Sequence, residues 1–158
     1  MSTLNVNIDT SRGNGLMHVF MRAWLLACLL FVSSAAMASQ NVHLTVYQDP
    51  NCGCCGAWVD YMRAEGFNVQ AIKTSDVNAY KQQFGVPPKL ASCHTAVVQE
   101  TGQVIEGHVP AQAVRKMLTD ASVKGVSAPG MPMNSPGMGE MDGNLVTVDF
   151  QGRAFSRD

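Results

Sequence analysis

The chain has 158 residues, 46% of them apolar and 15% charged, with a formal charge of −1 at neutral pH. A balance so close to neutral offers no electrostatic footprint for nucleic acid or an anionic membrane surface, and neither is expected as a partner. One domain of this length buries an adequate core.

The first feature in chain order is a leader. Met21-Arg22 precede ten apolar residues, Ala23 to Val32, and then the small-residue stretch SSAAMASQ. A basic flank, an apolar run too short to span a bilayer and an A-x-A site at Ala36-Met37-Ala38 predict a secretory signal peptide over residues 1–38 and a mature domain over 39–158. The polar stretch before Met21 leaves Met17 or Met21 as alternative starts. Removing residues 1–38 from the 158 leaves 120, takes Cys28 away, and moves the formal charge to −2, because Asp9, Arg12 and Arg22 leave together. Four cysteines remain: Cys52, Cys54, Cys55 and Cys93.

Val42 to Tyr47 carries the β-branched and aromatic residues of a strand, and DPNCGCCG follows as a turn. Ala57 to Glu65 predicts a helix with Cys55, Trp58, Val59 and Met62 on one face, then Phe67 to Lys73 a second strand. Ser75 or Asp76 caps a helix to about Phe84, which Gly85 and Pro87-Pro88 end. His94 to Gln99 and Gln103 to Glu106 form a hairpin, and Pro110 opens a helix to about Thr119. The order βαβα then ββα predicts an α/β fold: a single thioredoxin-like domain with a mixed sheet. Residues 124–143 are rich in Gly and Pro and carry Met131, Met133, Met138 and Met141, a Met-rich C-terminal loop before a last strand at Asn144 to Phe150.

In an oxidising compartment four cysteines ordinarily become two structural disulfides. Cys52 and Cys55 also form a CxxC at a helix N-terminus, where the dipole lowers a thiol pKa, so a thiol–disulfide oxidoreductase is a second reading. Neither explains Cys54 well, since two disulfides through adjacent residues strain their geometry. Metal ligation tolerates crowded sulfurs, and thiolates suit Cu(I), zinc or iron–sulfur centres. Gly53 and Gly56 are expected to let a flexible loop wrap the site, and a zinc-stabilised module is a third reading. Met131, Met133, Met138 and Met141 bring thioethers, softer donors that suit Cu(I) far more than zinc; loop filler or packing is the other reading of the same four. His94, beside Cys93, and His108, after the hairpin, are further candidate ligands; His43 in the first strand is read as structural or exposed. A protease-like Cys93–His94 pair is disfavoured because strand neighbours point to opposite faces.

Four blocks carry a resemblance: CGCCGAW (52–58), FGVPPKLASCHTAVV (84–98), IEGHVPA (105–111) and APGMPMNSPGM (128–138). The chain resembles the CopG family of bacterial copper-resistance proteins over nearly all of its mature length. The resemblance implies a periplasmic, thioredoxin-like protein whose Cys52, Cys54, Cys55 and Cys93 hold several copper ions through bridging thiolates. It further implies interconversion of Cu(I) and Cu(II), which would make the protein a copper oxidoreductase, and exchange with other periplasmic copper-handling proteins.

Overall fold

A computed structural model of the protein describes residues 42–158; the expected leader lies outside the described residues. Strand β1 (His43–Gln48) leads into α1 (Gly53–Ala64), β2 (Asn68–Lys73) and α2 (Val77–Gln83). A 3-10 turn (Pro88–Leu90) precedes β3 (His94–Val98), β4 (Val104–Glu106) and α3 (Ala111–Leu118). Three short strands finish the chain: β5 (Gly125–Ser127), β6 (Val146–Asp149) and β7 (Ala154–Arg157). They make one mixed seven-stranded sheet in the order β2-β1-β3-β4-β5-β6-β7. The β1–β2 and β4–β5 pairs are parallel and the other four antiparallel.

The first seven elements follow the order expected from the sequence. The 124–143 segment does not begin as a loop, because Gly125–Ser127 runs parallel to β4, with α3 making the crossover. Three residues headed by glycine carry no periodicity of their own, and β4 imposes the strand. β7 was likewise not expected.

The helices divide the sheet by face. Leu44, Val46, Ala96, Val98 and Ile105 face a core shared with Trp58, Val59 and Met62 of α1 and Val114 and Met117 of α3. The opposite face carries Thr95 and Glu106, paired in register, and Lys81 of α2 lies against them. Asp76 caps α2, its carboxylate accepting from the Ala79 N–H at 3.2 Å. The N–H of Ala111, at the start of α3, instead donates to the Tyr61 hydroxyl at 3.1 Å.

Helix α1 begins four residues earlier than the sequence suggests, and the expected flexible loop is its first turn. Gly53 and Gly56 are both helical, and neither has a positive φ. Their low intrinsic propensity is outweighed by packing: Cys55 and Trp58 are fully buried, and the Trp58 indole N–H donates to the Val109 carbonyl at 2.9 Å. Cys54 and Cys55 therefore project from a rigid helical turn.

Candidate metal centre

Cys52 is the N-cap residue of α1, and Cys54 and Cys55 follow in its first turn. Cys93 reaches the same place from the residue before β3. The four sulfurs all lie within 4.8 Å of one another. Cys52 and Cys55 are joined in a disulfide, whereas Cys54 and Cys93 are free thiols, with Cys54 Sγ 3.5 Å from Cys52 Sγ. Cys55 is buried and the other three are half-buried, so the cluster is open on one side. No side chain caps α1 and no acidic residue occupies its first turn. The free N–H groups at the positive end of the helix are thus left to the sulfurs.

Two imidazoles stand behind Cys93. The Nδ1 of His108 lies 2.6 Å from the Pro136 carbonyl oxygen, which only accepts, so Nδ1 carries the proton. Its Nε2 lone pair then faces Cys93 Sγ at 3.1 Å. His94 Nδ1 is 3.7 Å from the same sulfur. Cys55, Cys93, His94 and His108 make a second group of donors within 4.8 Å of one another, sharing Cys55 and Cys93 with the first. Both histidines are wholly buried.

Burial sets the protonation states. It pushes the Cys93 thiol above its ordinary value, and the neighbouring Cys54 adds to the rise. It holds His94 well below the usual imidazole value, with the charges of His108 and Lys81 acting in the same sense. It lowers His108 too, against the opposing hydrogen bond to Pro136. Cys93 is thus held as a thiol and both histidines as neutral imidazoles, beside the Cys52–Cys55 disulfide. Cys93 precedes the strand, so alternation does not separate it from His94 as expected; its raised pKa, not its geometry, argues against a protease-like nucleophile.

The segment after β5 crosses this centre and is held at three places. The Ser92 hydroxyl donates to the Gly130 carbonyl, Pro136 accepts from His108, and Gly137 lies against the first turns of α1. With φ +80°, a Cβ on Gly137 would stand 2.7 Å from Trp58 N and 3.0 Å from Cys54 O. Met131 and Met133 ride on the span between, 59% and 68% exposed, and Met138 is half-buried just beyond. The structure brings the four cysteines and His94 and His108 together. His43 is not among them: its Nδ1 pairs with Glu100 at 2.6 Å on the surface.

A support beneath the Cys93 loop was not found from sequence. Glu106, fully buried, accepts from Lys81 Nζ at 2.5 Å and the Ser92 N–H at 2.6 Å through Oε1. Its Oε2 accepts from the Thr95 hydroxyl at 2.7 Å. The one available signal was a carboxylate inside an otherwise apolar strand, QVIEGH. Gly107, next in sequence, has φ +73°, and a Cβ there would meet Ser92 Oγ at 2.5 Å. Neither Gly107 nor Gly137 leaves room for a Cβ, the first against the Ser92 side chain and the second against the backbone of α1.

These features define a class: a mixed α/β domain whose helix N-terminus gathers four cysteine sulfurs in front of two buried imidazoles. A family model described as a protein of unknown function, DUF411, matches residues 90–138. Two solved structures, described as copper resistance protein CopG in form 1 and form 2, are each 36% identical with a TM-score of 0.66. Each match covers 75% of this chain, and 98% and 99% of the respective relative. No curated protein matches. The chain belongs to the family of copper resistance protein CopG.

Proposed function

We propose that the protein binds copper in copper resistance, with Cys52, Cys54, Cys55 and Cys93, in their reduced form, as thiolate ligands. The observation that carries this reading is the convergence of four sulfurs within 4.8 Å, too many for one disulfide and too close for staples that tie distant loops. Thiolates with imidazoles behind them are a donor set that suits Cu(I). Four thiolates hold several low-coordinate ions only by sharing sulfurs, so a bridged multi-copper site with exchange between Cu(I) and Cu(II) belongs to the proposal. His94 and His108 complete the ligand set, and Met131, Met133 and Met138 offer a delivery surface to other copper-handling proteins. The order of β1 to β4 with α1 to α3 supports a thioredoxin-like reading of the domain. The leader motif over residues 1–38 supports export to the periplasm, and no helix among the described residues is long and apolar enough to cross a membrane. Anaerobic titration of the reduced protein with Cu(I) tests the proposal. Replacing Cys52, Cys54 and Cys55 together by Ser is expected to abolish most binding, and undiminished stoichiometry would refute it.

The Cys52–Cys55 disulfide at a helix N-terminus favours one competing reading, a thiol–disulfide oxidoreductase. A reduction potential within the roughly −270 to −120 mV span of such exchangers, together with disulfide exchange unaffected by copper chelation, would support it over copper binding.

A further inference from the structure

Two buried side-chain atoms among the described residues lack a hydrogen-bond partner: Oε1 of Gln48 and Nε2 of His94. They belong to facing residues, since β1 and β3 pair Gln48 with His94 in register. The Gln99 N–H donates to the His43 carbonyl, which makes 43–99 a hydrogen-bonded pair of this ladder. By alternation 48–94 is then a non-hydrogen-bonded pair, the kind whose side chains stand closest, with Cα atoms about 4.5 Å apart. Gln48 is 3% exposed and His94 fully buried. Along β1 the positions on this face are Leu44, Val46 and Gln48. The pattern calls for an aliphatic residue at 48 and has an amide instead, at the cysteine end of the sheet.

We propose that Gln48 is a positioning residue for the metal centre: its amide oxygen takes the Nε2–H of His94 directly, once the two side chains close to hydrogen-bond distance, and leaves the His94 Nδ1 lone pair facing Cys93. The arrangement mirrors that of His108, whose Nδ1–H is held by the Pro136 carbonyl so that Nε2 is free towards Cys93. Metal-ligating histidines characteristically donate their other N–H to such an acceptor, which fixes tautomer and ring orientation. The opposite tautomer of His94 would set a nitrogen lone pair against the Gln48 oxygen, acceptor against acceptor. The Trp58 ring, 4.5 Å from that of His94 between centroids, packs against the imidazole and restricts its reorientation.

The significance of the tautomer rests on the copper reading above, but its measurement does not. In 15N-labelled, reduced, metal-free protein, long-range 1H–15N correlation is expected to show His94 protonated at Nε2 and bare at Nδ1. Gln48→Leu is expected to abolish that preference, and Gln48→Glu, which keeps an acceptor, to preserve it. A proton on Nδ1 in the parent, or an unchanged tautomer in Gln48→Leu, overturns the proposal without reference to copper. In Cu(I) competition titrations Gln48→Leu should weaken binding by about 10- to 100-fold, with Gln48→Glu closer to the parent. A Gln48→Leu variant that loses the tautomer yet binds copper as the parent does overturns the positioning role. A parent that binds no copper sinks the copper reading and leaves the tautomer result standing.

Discussion

Cys93 is the thiol on which the two donor groups meet, and burial keeps it protonated at neutral pH. Because the thiolate is the reactive form, iodoacetamide at pH 7 should modify Cys93 in the metal-free protein more slowly than an unhindered cysteine peptide. Its rate should climb only above the ordinary thiol range, as peptide mapping by mass spectrometry would show; rapid labelling at pH 7 would contradict this. The histidines give a prediction at lower pH. His94 and His108 both titrate below their ordinary value in the folded protein, so the unfolded chain takes up their protons first. Their contribution to stability is complete above about pH 6.5 and is lost as pH falls from there towards the depressed folded values, by up to about 1.4 kcal/mol per pH unit for each group. Urea denaturation of the reduced, metal-free protein between pH 7 and pH 5 should follow that slope, before most carboxylates begin to titrate. Replacing both histidines by Gln should flatten it.

At the scale of elements, the centre depends on one close backbone contact and on one buried ion pair. Gly137→Ala forces a left-handed residue to carry a Cβ that meets the Trp58 N–H and the Cys54 carbonyl. It is expected to cost about 1–2 kcal/mol from the dihedral alone, and more from lifting the strap off α1. On the other face, Lys81→Met removes the cation from a fully buried Glu106 and should destabilise by about 3–5 kcal/mol. Lys81→Met with Glu106→Gln should recover much of that loss, since the amide oxygen still accepts from Ser92; thermal denaturation of the single and double variants distinguishes a coupled pair from two independent losses. These contacts also mark what the sequence could tell. The CxCC spacing, the SCH block and the alternation of β1 and β3 announced a sulfur cluster at a strand–helix junction, because local chemistry and periodicity carry those signals. The early start of α1 was hidden because Gly and Cys are poor helix formers and the burial of Trp58 decides the matter. β5 and β7 were hidden because three- and four-residue strands take their conformation from neighbours. Lys81 with Glu106, Gln48 with His94 and His108 with Pro136 each join residues from separate segments, and no single stretch of sequence contains such a pair.

For the molecule as a whole, the disulfide sets the terms on which the centre can bind anything. With Cys52 joined to Cys55, only Cys54 and Cys93 remain as thiols. Two electrons and two protons convert the S–S bond into two further thiols and double the donors, on a helical turn that is already formed. The rest of the centre is packed in place: Cys55 and both imidazoles are buried, and the strap is anchored to Ser92 and His108. Loading therefore requires reduction and proton release more than folding, and each thiol that becomes a ligand gives up its proton, which makes affinity fall at low pH. Competition against a chromophoric Cu(I) chelator should give a lower stoichiometry for the protein before anaerobic dithiothreitol treatment, with reductant removed, than after it. Because a ligand stabilises only the state that binds it, added Cu(I) should raise the melting temperature of the reduced protein far more than that of the oxidised one. Equal stoichiometry and equal thermal shifts in the two forms would mean that Cys52 and Cys55 hold no copper, leaving Cys54, Cys93 and the histidines as the whole of the centre.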